Sequence, residues 1–123
     1  MITNLKENQV FVFGSNELGE HIGGAAKQAL QFGAINGVGE GLMEQSYAFP
    51  TLDRSFQKRS RNKLMVSVYK LYMTCKQNPN KEFLLTKVGC GIAGFEEKFM
   101  AKLFRNAPSN LVLPEGWNIY TSK

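Results

Sequence analysis

Cysteine and histidine are nearly absent from this chain, with Cys75 and Cys90 for the first and His21 alone for the second. Two cysteines are too few for a disulfide framework. With one histidine they cannot complete a four-ligand metal site either, and no metal or cofactor is implied. No run approaches the roughly 18–20 apolar residues of a membrane span, and the opening MITNLKENQ lacks the apolar core of a signal peptide. Free thiols in a reducing cytoplasm are the expectation. Internal repeats, linkers and a second composition are lacking too, so the 123 residues are expected to fold as one domain.

What is present is ordinary for a globular protein: 43% apolar and 20% charged residues, a balance that disfavours disorder. The net charge of +5 favours anionic partners in general, but solubility alone would account for it. Nothing in the composition speaks to oligomeric state.

The chain is organised around residues 9–30, QVFVFGSNELGEHIGGAAKQAL. Val10 to Phe13 read as a buried strand that breaks at Gly14-Ser15-Asn16. A polar loop with His21 follows, and Gly23-Gly24 opens an alanine-rich helix expected to end near Phe32, with Gly33 as its C′ glycine. Strand, small-residue loop and helix start is an arrangement that binds phosphate, because first-turn N–H groups and the positive dipole end face the loop. Glycine there lets a ligand approach the backbone.

Residues 33–45 carry Gly37, Gly39 and Gly41 and read as a mobile loop near the pocket. Ser46 to Phe49 form a second strand ended by Pro50. Residues 52–63 hold Arg54, Lys58, Arg59, Arg61 and Lys63, a cluster that reads either as a nucleic-acid patch or as a solvated loop; with Phe56 as its one aromatic, the solvated loop is favoured. Leu64, Val68, Leu71, Tyr72 and Cys75 have the spacing of an amphipathic helix that stops by Asn78-Pro79. Phe83 to Val88 is a strand that runs into Gly89-Cys90-Gly91-Ile92-Ala93-Gly94-Phe95. A helix from Glu96, a buried run Leu111 to Leu113 and an edge strand over Trp117 to Tyr120 complete the chain.

This alternation predicts an α/β fold in three layers, α/β/α, with a mixed, largely parallel sheet. Both glycine-rich loops leave carboxyl ends of strands, where such sheets bind ligands.

Asn16, His21 and Gly23-Gly24-Ala25-Ala26 together resemble the macro-domain signature, and Gly89 to Phe95 is similar to that family's second ligand loop. The resemblance covers about residues 10–95 and extends to short bacterial and phage proteins that share FGSN, YAxPT and GCGxAG. It implies ADP-ribose or a related nucleotide as ligand. Asn16 would then hold the distal ribose, with Gly14, Ser15, Gly23, Gly24 and Ala25 on one side of the diphosphate. Gly89, Cys90, Gly91, Ile92, Ala93 and Gly94 would lie on the other, and Phe95 against the distal ribose. Asn16 and His21 would be the catalytic candidates if a distal-ribose phosphate or ADP-ribosyl ester is hydrolysed. The chain departs from the family in three respects: no Asp precedes the first strand, Ile22 stands in the run of glycines, and the length is short.

Read from the residues alone, His21 suits general acid or base work but also a plain hydrogen-bonding role. Cys90 lacks a second histidine to activate it. Asn16 is equally a turn residue, and Asp53 is one carboxylate near a strand end that could position a water. A binding module without turnover, a hydrolase and, less favoured, a nucleic-acid-binding domain remain as readings. No membrane partner is expected.

Overall fold

A computed structural model describes residues 4–121. The elements are β1 (Gln9–Asn16), α1 (Gly24–Ala29, continued by a 3₁₀ turn at Leu30–Phe32), β2 (Gly41–Met43), β3 (Ser46–Leu52), α2 (Arg61–Gln77), β4 (Glu82–Leu85), α3 (Glu97–Lys102), β5 (Leu111–Val112) and α4 (Asn118–Thr121). One five-stranded sheet runs β2-β3-β1-β4-β5. All neighbours are parallel except the β2–β3 hairpin.

Strand β1 is apolar without alternation because both of its faces are covered. Phe11 and Phe13 pack with Ala26 and Ala29 of α1 on one face. Val10 and Val12 pack on the other with Leu64, Val68 and Leu71 of α2 and with Met100 and Ala101 of α3. The helices on both faces make the fold three-layered. Helix α2 starts at Ser60, whose Oγ accepts from the Lys63 amide. It ends at Asn78, whose side-chain amide donates to the Thr74 carbonyl 2.8 Å away. Among the described residues no helix is long and apolar enough to cross a membrane.

Several sequence expectations need correction. Gly14-Ser15-Asn16 is not a break: β1 continues to Asn16, pairing Gly14 with Phe49 and Ser15 with Pro50 before a register shift. Pro50 does not end β3, which runs to Leu52. The edge strand β2 pairs only with Ser46 to Ala48, so at Pro50 the outer edge is open and a missing N–H costs no ladder bond. The β4 strand stops at Leu85, three residues short of expectation, while Thr86 turns its hydroxyl onto the Val12 carbonyl at 2.7 Å.

Trp117 to Tyr120 is not an edge strand. The sheet closes at β5, and Trp117 is buried against Phe104 with its indole N–H on Glu97 Oε1 at 3.1 Å. An aromatic of that size contributes more as a satisfied core residue than on a sheet edge, and the chain after it turns helical.

Candidate functional site

The connections after β1 and after β4 leave for opposite faces of the sheet, one into α1 and the other toward α3. Since β1 and β4 are neighbours, their carboxyl ends form a topological switch point, where open α/β sheets hold a crevice. A cleft of about 380 Å³ occupies that position, within the range of small-molecule sites. It crosses the ends of three parallel strands. Thr51, Leu52 and Phe56 stand at the β3 end, Gly14 to Asn16 in the middle, and Thr86 to Gly89 at the β4 end.

Among the wall glycines, Gly14 is the one at which two backbones approach closely. A Cβ on Gly14 would lie 3.3 Å from the Gly89 nitrogen, and a Cβ on Gly23 would meet Ile92 Cδ1 at 3.9 Å. The first intrahelical bond of α1 is Lys27 to Gly23, which leaves the Gly24 and Ala25 amides without a helical partner. On the facing loop the amides of Gly91, Ile92 and Ala93 have no acceptor among the described residues. Ile22 and Ile92, the most exposed large apolar residues described, overhang the opening. Lys87 is the cation that lines the crevice, half-exposed and 3.3 Å from Glu97. The Trp117 indole and Lys87 hold the Glu97 carboxyl below the ordinary carboxylate range, so the carboxylate of that pair is charged near neutrality.

Of the residues that the resemblance assigns to the ligand or to catalysis, Gly14, Ser15, Asn16, Gly23, Gly24, Ala25, Gly89, Gly91, Ile92 and Ala93 line this cleft. Four do not. Cys90 turns its thiol toward the Val88 carbonyl, and burial, with Glu97 second, raises its pKa, so it is a poor nucleophile near neutrality. Phe95 stacks on Phe99 with Lys58 above its ring, and Gly94 lies beside that lysine. His21 is buried, edge-on to Phe13, with Nε2 3.1 and 3.0 Å from the carbonyls of Ile35 and Val38. Two carbonyls make Nε2 the protonated nitrogen. His21 thus fastens the first loop to residues 35–38 and faces away from the crevice.

Asn16 is at the site, but both ends of its side-chain amide are engaged by the backbone of Glu20. It closes the turn that shapes the wall. The loop expected near the pocket over 33–45 instead packs beneath the first loop: Gly37 donates to the Gly19 carbonyl at 2.9 Å, and Gly39 abuts the Asn16 carbonyl. Asp53 is occupied as well. Its Oδ1 accepts from the amides of Ser55 and Gln57, and the Gln57 and Ser55 bonds hold its carboxyl below the ordinary value.

The basic cluster divides in two. Arg59 is largely buried, with Nε 2.8 Å from Glu17 Oε2 and Nη1 on the Pro50 carbonyl and Ser67 Oγ. Lys58 lies 5.1 Å above the Phe95 ring. Arg54, Arg61 and Lys63 are exposed.

Sequence reasoning missed Phe56, Glu20 and Lys87 in the lining. For Phe56 the signal was its place in a polar run soon after a strand end. Its backbone has φ +60, a left-handed conformation that costs a non-glycine residue roughly 1–2 kcal/mol. Comparison with protein-family models, with curated proteins and with solved structures finds no match to this chain.

Proposed function

We propose that the crevice binds ADP-ribose or a related nucleotide diphosphate. The observation that carries this reading is the convergence of two glycine-walled loops, each with unpartnered amides, on the switch point between β1 and β4. Such amides are fixed partial positive charges that suit phosphate oxygens without recognising a base. The likeness of both loops to those of macro domains supports the same ligand.

Binding without turnover is the primary reading. The histidine faces away, the Cys90 thiol stays protonated and Asp53 serves its own turn. Hydrolysis at the distal ribose, the second reading, would fall to Glu20, an exposed carboxylate of the lining whose backbone Asn16 pins. A nucleic-acid role is disfavoured because Arg59 is committed within the fold and Phe56 is the one aromatic of the basic run.

Calorimetry with ADP-ribose, against AMP and NAD, tests the ligand. Micromolar affinity selective for ADP-ribose is expected, and no heat with any of the three would overturn the reading. Lys87→Ala should weaken ADP-ribose about three- to ten-fold, a loss that shrinks as salt is raised. The effect is modest because the ammonium is half-exposed and shared with Glu97.

A further inference from the structure

We propose that Phe56 is the base platform of this crevice, stacking the aromatic base of the bound nucleotide over the carboxyl end of β3. The inference rests on the nucleotide reading above and adds to it the part of the ligand that the glycine loops leave unread.

Three non-glycine residues described here have positive φ: Glu44, Phe56 and Asn106. Asn106 is of a type that tolerates the left-handed region, and Glu44 lies in the tight turn between β2 and β3. Phe56 likewise sits in a tight turn, the hairpin from Asp53 to Gln57, but glycine or asparagine would hold that position with less strain. Nor does packing select phenylalanine, since the residue is 46% exposed. Conformation and burial both argue against this side chain at this position. What remains is the space it faces. Phe56 lines the crevice and is the one aromatic among the described lining residues.

The turn that presents the ring is braced. Leu52 bridges to Lys58, the Asp53 amide donates to the Gln57 carbonyl at 2.8 Å, the Phe56 amide donates to the Asp53 carbonyl, and Asp53 Oδ1 accepts from two further amides. Arg59 then locks the returning strand to Glu17 and Ser67. A strained residue held by an over-determined frame is the pattern expected where the strain serves a ligand. Stacking on one ring accepts any base face, so the ligand class is a nucleotide diphosphate with weak discrimination among bases.

The test is calorimetry of the wild type, Phe56→Ala and Phe56→Trp with ADP-ribose and with inorganic pyrophosphate, which carries no base. Phe56→Ala should lose about ten-fold or more in ADP-ribose affinity, keep its pyrophosphate affinity and melt no lower than the wild type. Phe56→Trp should retain ADP-ribose binding, with its indole fluorescence quenched on titration. Unchanged ADP-ribose affinity in Phe56→Ala, or equal losses for both ligands, would overturn the platform. A wild type that binds pyrophosphate but not ADP-ribose would also overturn it and leave an anion site. A wild type that binds neither would remove the nucleotide reading and the platform together.

Discussion

Gly19→Ala is expected to unfold the domain or bring it close to unfolding. Gly19 has φ +75, and a Cβ there would lie closer than 3.0 Å to Gly37 and Val38 backbone atoms. The left-handed conformation costs about 1–2 kcal/mol for alanine, and overpacking adds about 1–3. The overpacking belongs at the upper end of that range, because the obstructing atoms are main chain and cannot swing aside. They are held by the Gly37 amide on the Gly19 carbonyl, by His21 on Ile35 and Val38, and by the His21 amide on Asn36. A total of about 4 kcal/mol is a large share of the roughly 5–15 that a domain possesses, and it corresponds to a melting temperature lower by ten degrees or more. Gly37→Ala is the control. It has φ +98 but open space around its Cβ, so it should lose the conformational part alone. Thermal or urea denaturation checks both, and a Gly19→Ala variant that melts within two degrees of the wild type would refute the close packing of the two loops.

Gly91→Glu is expected to weaken nucleotide binding about 100-fold in a folded protein. Gly91 lines the crevice, its φ lies outside the left-handed region, and nothing stands within 4 Å of its Cβ position. The Cβ of a glutamate therefore meets open space, and its carboxylate comes among the amides assigned to the diphosphate. Like charges about 4 Å apart at a protein surface repel by up to about 4 kcal/mol before screening. Half of that already exceeds a ten-fold change, and a loss of about 100-fold is expected. Gly24 is less suitable for the same substitution because its φ of +57 would strain any side chain. Calorimetry beside a melting curve decides the matter: native stability with unchanged affinity for ADP-ribose would exclude this crevice as the site. Gly91→Ala, which adds a methyl without charge, should bind within a few-fold of the wild type.

How much of this was legible in the sequence follows from what each segment depends on. Helix α2 declares itself because Leu64, Val68, Leu71 and Cys75 repeat at the helical period and all are buried. The unbroken apolar run of β1 likewise announces a strand covered on both faces. The length of β1 was not legible, because Gly14, Ser15 and Asn16 are turn formers kept in the strand by pairing with β3, a contact no local pattern encodes. His21 was legible as unusual but not as buried; its partners Ile35 and Val38 are brought to it by packing between loops. Phe56 was hidden by its neighbours. A charged, serine-containing run reads as solvated loop, and only the hairpin geometry turns that residue into the crevice.

The ion pair of Arg59 with Glu17 gives the crevice two walls of unequal readiness. It ties the hairpin after β3 to the segment after β1, and Asn16 and His21 fasten that segment further. The loop from Gly91 to Ala93 has no comparable anchor among the described residues. Ordering on binding then falls chiefly on that one loop. In hydrogen exchange its amides should be rapid in the free protein and slow sharply once ligand is bound, while the braced wall changes little.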